Sequence, residues 1–209
     1  MKLLILGATG PTGVDLSEQA LEAGHHVTAF ARRPHAVQIR HANLNVHKGD
    51  ILDYSSLEDA ARGQDAVLSA LGVRQLGKNT ILSDGTRNII QAMKSLGIKR
   101  LIVESSLGVG DSRGQLGPVY NWFVMPVLLR NIFADKEVQE ALIRESGLDW
   151  VIVRPAILTN GPRTGKYRAG FGPDNHSIKA KISRADTAEF MLKQLTDDTY
   201  LYKTPGLSY

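Results

Sequence analysis

A chain of 209 residues with 43% hydrophobic and 22% charged residues can form one soluble domain with a large core, and its net charge of +4 (25 Lys and Arg against 21 Asp and Glu) is modest. The basic residues are scattered, so nucleic acid is not an expected partner. The absence of cysteine excludes disulfides and thiolate metal sites and fits a reducing, cytoplasmic location.

The chain opens MKLLILGATGPTG. Leu3 to Leu6 is too short for a signal peptide, and a glycine loop stands where a cleavage site would be. The run reads as a first strand, Lys2–Leu6. Further strands are expected at Val27–Ala31, Asn45–Lys48, Ala66–Ala70, Leu101–Glu104 and Trp150–Val153, with a last one near Tyr200–Lys203. Helical patterns end in glycine at Gly24, Gly63, Gly97 and Gly147, just before four of these runs. The runs lack strict polar alternation, so both faces are expected to be buried, as in a parallel sheet covered by helices on both sides.

Alternating strand and helix over residues 1–209 defines one doubly wound α/β domain of Rossmann type, with a mostly parallel sheet. The helix from about Thr80 to Leu96 carries Leu82, Gly85, Ile89, Ala92, Met93 and Leu96 along one stripe. A longer helical region is expected from about Pro118 to Glu145, with Pro118 in its first turn and Pro126 kinking or breaking it. The longest apolar stretch, Trp122 to Leu129, falls far short of the ~20 residues of a membrane helix. YNWFVMPVLL reads as core, or as the wall of a flat substrate pocket. Two long glycine- or proline-rich loops, 107–117 and 155–182, follow strand ends, and that edge of an open α/β sheet is where ligands bind.

The three glycines lie between a strand and a helix. Gly7 suits the tight turn, Gly10 the approach of a pyrophosphate to the backbone, and Gly13 the close packing of helix on strand. Amides at the helix start then face the phosphates. An NAD-binding chain places an acid roughly 20 residues later for the ribose 2′-hydroxyl. Here no acid lies between Glu22 and Asp50, and Arg32 and Arg33 stand there instead. Arginine suits a 2′-phosphate, so NADP(H) is the expected cofactor.

With these residues, the chain resembles the atypical short-chain dehydrogenase/reductases, and within them the biliverdin-IXβ reductase/NADPH-dependent flavin reductase group and its NmrA-like relatives. The carriers are GATGPTG at 7–13, ARRP at 31–34, GDILD at 49–53, GQDAVLSALG at 63–72, GTRNIIQAMKSLGIKRLIVESS at 85–106, RESGLDWVIVRP at 144–155 and ISRADTAEFML at 182–192. The resemblance implies that Thr9, Gly10, Pro11, Thr12 and Gly13 wrap the pyrophosphate. It implies that Asp50 contacts the adenine with Ile51 beside it, and that Ala70, Leu71 and Gly72 pass under the adenosine ribose. Arg74 would assist with phosphates, Ser105 and Ser106 would lie beside the nicotinamide, and Pro155 would start the loop shaping the pocket. Asp50 also fits a plain turn or cap role, and the serines fit strand-end hydrogen bonding.

Two departures bear on chemistry. Alcohol-oxidising members use Tyr-x-x-x-Lys, but here Lys136 is preceded four residues earlier by Ile132, so the usual proton carrier is missing. Lys136 then either holds the nicotinamide ribose or is an exposed helix lysine. The histidine expected two residues after the pocket-strand proline is Ile157, which weakens the case for linear tetrapyrroles. GPRTGK at 161–166 has the wrong spacing for a P-loop, and the six histidines form no metal pattern. The expectation is an NADPH-dependent reductase of a planar acceptor, a flavin first and a bilin second, acting as a monomer or weak homo-oligomer away from membranes. A dinucleotide sensor without turnover is the rival.

Overall fold

The structure, a computed structural model, describes residues 1–73, 76–116, 123–124, 127–170 and 179–209. In chain order the elements are β1 Lys2–Leu6, α1 Pro11–Glu22, β2 His26–Ala31, β3 Leu44–Lys48, α2 Tyr54–Ala61, β4 Ala66–Ser69, α3 Ile81–Leu96, β5 Arg100–Glu104, α4 Arg130–Arg144, β6 Asp149–Pro155, β7 Ile157–Thr159, β8 Arg168–Ala169, β9 Lys181–Ser183, α5 Arg184–Lys193 and β10 Gly206–Ser208. Ten strands and five α-helices are thus found among the described residues.

Successive residues of a strand point to opposite faces, and β1 shows what this does here. Leu3 and Ile5 pack with Leu16 and Ala20 of α1 and with Ala188 and Met191 of α5. Leu4 and Leu6 pack with Leu57 of α2, Ile89 and Met93 of α3 and Ile143 of α4. Two apolar layers therefore sandwich the sheet, and each fully buried aliphatic side chain contributes roughly 1.5–3 kcal/mol. The edge strand β3 is only half-buried, as its place at one end of the sheet requires.

The main sheet runs β3-β2-β1-β4-β5-β6-β10-β8, and β7 and β9 form a separate parallel pair. Every pairing in the main sheet is parallel except β10 with β8. This is the Rossmann fold, and its strand order reverses between β1 and β4. The expected capping glycines Gly24, Gly63, Gly97 and Gly147 all take positive φ, between 70° and 80°. At the end of α3 the Ile98 amide donates to the Met93 carbonyl at 2.9 Å, which closes a Schellman cap.

One expectation needs correction. The last strand is Gly206–Ser208, not Tyr200–Lys203. The Tyr202 amide does reach the Trp150 carbonyl at 2.9 Å, but Tyr202 sits at φ +59, which breaks the extended run until after Pro205. The expected helical region is divided: the described residues Phe123, Val124, Val127 and Leu128 are π-helical, with the Leu129 amide donating to the Val124 carbonyl at 3.1 Å, and α4 itself begins at Arg130 with Leu129 as its cap. Pro118 and Pro126 themselves lie outside the described residues, as does half of YNWFVMPVLL. Phe123, Val127 and Leu128 of that segment are exposed, which does not fit a core role for those three.

Candidate dinucleotide site

The reversal point is bordered by the loop after β1 and the loop after β4. These loops touch, because Gly7 (φ +80) would put a Cβ 2.4 Å from the Ala70 carbonyl oxygen. A Cβ on Gly13 would lie 2.1 Å from the Gly7 carbonyl oxygen. Both positions are closed to any side chain. Gly10 differs: a Cβ there meets only the Gly7 carbonyl oxygen, at 3.2 Å, and otherwise faces open space. Gly10 is also the N-cap of α1, with Pro11 at the first helical position and no side chain capping the helix. Val14 donates to the Gly10 carbonyl at 2.9 Å. The amides of Thr12 and Gly13 have no intrahelical acceptor, as first-turn amides never do. A helix start with free amides and an uncovered glycine is a cradle for an anion. Thr9 and Pro11 are exposed beside it, while Thr12 is buried.

Arg32 and Arg33 follow β2, the strand next to β1, and both are exposed. Ile51 is buried in the core, and a Cβ on Gly85 would lie 2.6 Å from its Cγ1. Asp50 accepts the Leu52 amide at 3.0 Å, so it closes a turn, which leaves any adenine contact to its second oxygen. Ala70 is buried, Leu71 half-buried and Gly72 exposed. Arg74 lies outside the described residues. Pro155 ends β6 and is buried.

The two serines part company. The Ser105 hydroxyl donates to Glu140 Oε1 at 2.7 Å and is buried. Ser106 is half-buried, with only a local bond from its hydroxyl to the Leu107 carbonyl at 3.2 Å. Ser106 is therefore the hydroxyl available to a ligand. Lys136 is not an exposed lysine but a buried one. No hydrogen bond or ion pair fixes its ammonium among the described residues. Burial holds its pKa below the usual lysine value, against the opposing charges of Glu104, Glu140 and Asp135.

Several polar residues escaped the sequence reading. Glu104, at the end of β5, is buried and accepts the Thr12 hydroxyl at 3.2 Å. Burial raises its pKa, only partly countered by the Lys136 charge. Asp135 caps α3 from a neighbouring helix, accepting the Leu82 and Ser83 amides at 2.9 and 3.2 Å. Glu140 takes Arg154 Nε and Nη2 at 3.0 and 2.6 Å and Arg144 Nη2 at 2.8 Å. Asp186 of α5 accepts the Thr164 and Gly165 amides at 2.7 and 2.9 Å and the Tyr209 hydroxyl at 2.7 Å. It thereby ties the 160–166 segment to the C-terminus. The signal for Glu104 and Arg154 was partial: each is a charge at or next to the carboxyl end of a strand with an apolar, buried interior, but nothing local names its partner.

Fold and site together define a Rossmann-type dinucleotide-binding protein. Residues 7–198 match the NAD(P)H-binding family model, and the chain belongs to that family. An uncharacterized chloroplastic protein of Arabidopsis thaliana is 29% identical over 217 residues, covering 97% of this chain and 74% of the relative. In a Mycobacterium tuberculosis relative, 27% identical, the match covers 76% of this chain but only 15% of that much longer protein. The oxidoreductase ylbE of Lactococcus lactis shares the fold at TM-score 0.84, with 20% identity and coverage of 100% and 90% of the two chains. ChuY of Escherichia coli O157:H7, described as an anaerobilin reductase, is 25% identical at TM-score 0.81, covering 100% of this chain and 97% of its own. No described helix is long and apolar enough to cross a membrane, and no described group of residues could hold a metal ion.

Proposed function

We propose that this protein is an NADPH-dependent reductase that moves a hydride to a planar conjugated acceptor, a flavin in the first instance and a bilin tetrapyrrole in the second. The observation that carries this reading is a nicotinamide end that offers Ser106 and a buried, uncommitted Lys136 but no tyrosine four residues before the lysine. A ketone needs a proton donor as it takes hydride. A flavin or bilin accepts hydride into a conjugated system and takes its proton from solvent, so positioning suffices. The likeness to ChuY supports the same acceptor class.

NADPH, when bound, supplies the hydride. The chain's own residues bind and orient. Gly10 leaves room for the pyrophosphate, and the Thr12 and Gly13 amides face it. Arg32 and Arg33 hold the 2′-phosphate and set the preference for NADPH over NADH. Asp50, Ile51, Ala70, Leu71 and Gly72 border the adenosine, Arg74 assists with the phosphates, and Lys136 holds the nicotinamide ribose. Ser106 orients the acceptor, and Pro155 starts the loop that walls it. The acceptor is a substrate that comes and goes, and the chain works in the cytoplasm as a monomer or weak homo-oligomer.

The missing tyrosine also favours a second reading, an NADP(H) sensor that binds without turnover. Anaerobic mixing of protein and NADPH with FMN, riboflavin or a bilin separates the two. The reductase oxidises NADPH with one of these acceptors and leaves simple ketones alone. Micromolar NADPH binding without oxidation by any of them would remove the reductase and leave the sensor.

A further inference from the structure

An unbroken line of side chains runs from solvent to the serine pair. Asp111 Oδ1 accepts Arg154 Nη1 at 2.5 Å. Arg154 turns Nε and Nη2 onto the two oxygens of Glu140 at 3.0 and 2.6 Å. The same Glu140 Oε1 accepts the Ser105 hydroxyl at 2.7 Å. The inner members are closed off, with the Arg154 and Glu140 side chains 2% and 1% exposed, while the Asp111 side chain is 74% exposed. Asp111 rides on the short 3-10 turn Gly110–Ser112, in the loop that follows β5. Gly110, at φ +57, brings the turn so close that a Cβ would lie 3.2 Å from Arg154 Nη2. The loop has other anchors too: the Leu107 amide donates to the Pro155 carbonyl at 2.9 Å, Arg113 pairs with Glu137 of α4, Val109 is buried, and Leu107 and Leu116 pack with Ala156. Asp111 is the one that reaches the Arg154–Glu140 pair.

The charges close only when Asp111 is counted. Arg154 and Arg144 both reach Glu140, so two guanidinium groups share one buried carboxylate, and Asp111 supplies the second. Without it a buried Arg154 keeps an unpaired donor and an uncompensated charge, which is costly.

We propose that Asp111 is a positioning residue whose carboxylate latches the 107–116 loop onto Arg154, and that Arg154 and Glu140 transmit the loop's position to Ser105 and so to Ser106. The role in turnover rests on the reductase reading; the latch rests on the loop alone. The residue acts through its neighbours and touches no substrate.

Asp111→Asn keeps the shape and removes the charge, and Asp111→Glu keeps the charge. Hydrogen exchange of the 107–116 amides reads the latch directly. Loss of one charge-assisted bond should speed their exchange about tenfold or more in Asp111→Asn, with residues 182–192 unchanged. Asp111→Glu should recover part of the protection. The parent protein in high salt should loosen in the same place, since the exposed carboxylate is screened. In turnover, Asp111→Asn should raise KM for FMN while the NADPH dissociation constant stays put. Unchanged exchange in Asp111→Asn would overturn the latch, whatever salt does to the parent, because salt also screens the exposed Arg113–Glu137 pair of the same loop. Faster exchange with an unaltered KM would overturn its positioning role. If the parent reduces no acceptor at all, the reductase reading falls, and the exchange data still decide the latch.

Discussion

The two ends of the site are built by different means. At the dinucleotide end the work is done by backbone: three glycines, the amides of one helix start, and a carbonyl from the next loop pressed against Gly7. At the end proposed for the acceptor it is done by side chains drawn from distant parts of the chain, with Glu140 as the hub for Ser105, Arg144 and Arg154. A backbone site tolerates no added atom at its closed positions but is indifferent to charge. A side-chain hub tolerates small changes of shape and fails when one charge is removed. The contrast predicts where substitutions will hurt, and in which measurement.

The largest effect is expected at the hub. Glu140→Gln leaves the buried Arg154 guanidinium with only the exposed Asp111 as a carboxylate partner, and breaking a buried pair costs about 3–5 kcal/mol. Chemical denaturation should show that loss. A loss near zero would mean that the hub is solvated and the contrast between the two ends is false.

Next comes the dinucleotide end. Gly10→Val should leave a folded protein, because only the Gly7 carbonyl crowds a Cβ there, yet abolish NADPH binding because the side chain occupies phosphate space. Gly13→Val should instead damage folding, with a Cβ 2.1 Å from the Gly7 carbonyl oxygen. Circular dichroism and a binding titration on the same samples test this pair. Normal binding by folded Gly10→Val would give the loop another purpose.

Arg32→Ala sharpens the account of cofactor choice. It should weaken NADPH by about 1.5–3 kcal/mol, the worth of one charge-assisted contact, and leave NADH nearly untouched. Calorimetry with both cofactors decides it, and equal affinities in the parent would contradict the assignment. Ser106→Ala should slow acceptor reduction about 10- to 100-fold, or roughly 1.4–2.7 kcal/mol, without changing the pH profile. A larger loss with a changed profile would make the serine a proton donor.

The smallest effect concerns Glu104. Burial raises its folded pKa above the ordinary value, so the folded protein holds a proton that the unfolded chain releases first. Its contribution is then fully present below the unfolded pKa and is lost as pH rises through the folded one. Glu104→Gln cannot lose it, so the variant should gain stability relative to the parent as pH rises from about 4.5. Parallel stability–pH curves would show that this carboxyl is not desolvated.

The same contrast explains what could be read in advance. The first six strands fall within two residues of their expected bounds; in all but the half-buried edge strand β3, burial on both faces writes itself into short aliphatic runs. The glycine loop and the arginines after β2 are local patterns, each complete within a few residues. The hub was invisible for the opposite reason: Ser105 and Glu140 are 35 residues apart, Asp111 and Arg154 43, Thr12 and Glu104 92. Only the fold brings them together, and it shows Ser105 turned to Glu140 while Ser106 stays available. The misplaced last strand had a different cause, since nothing in the residue type of Tyr202 announces a left-handed backbone.

The most direct test of the central claim is hydride transfer itself. NADPH deuterated on one face of the nicotinamide C4 would be mixed anaerobically with the protein and FMN, and its oxidation followed by stopped flow. Direct transfer predicts NADPH oxidation well above the protein-free rate, slowed by deuterium on one face and not by deuterium on the other. Oxidation no faster than without protein, at NADPH concentrations that saturate binding, would contradict it.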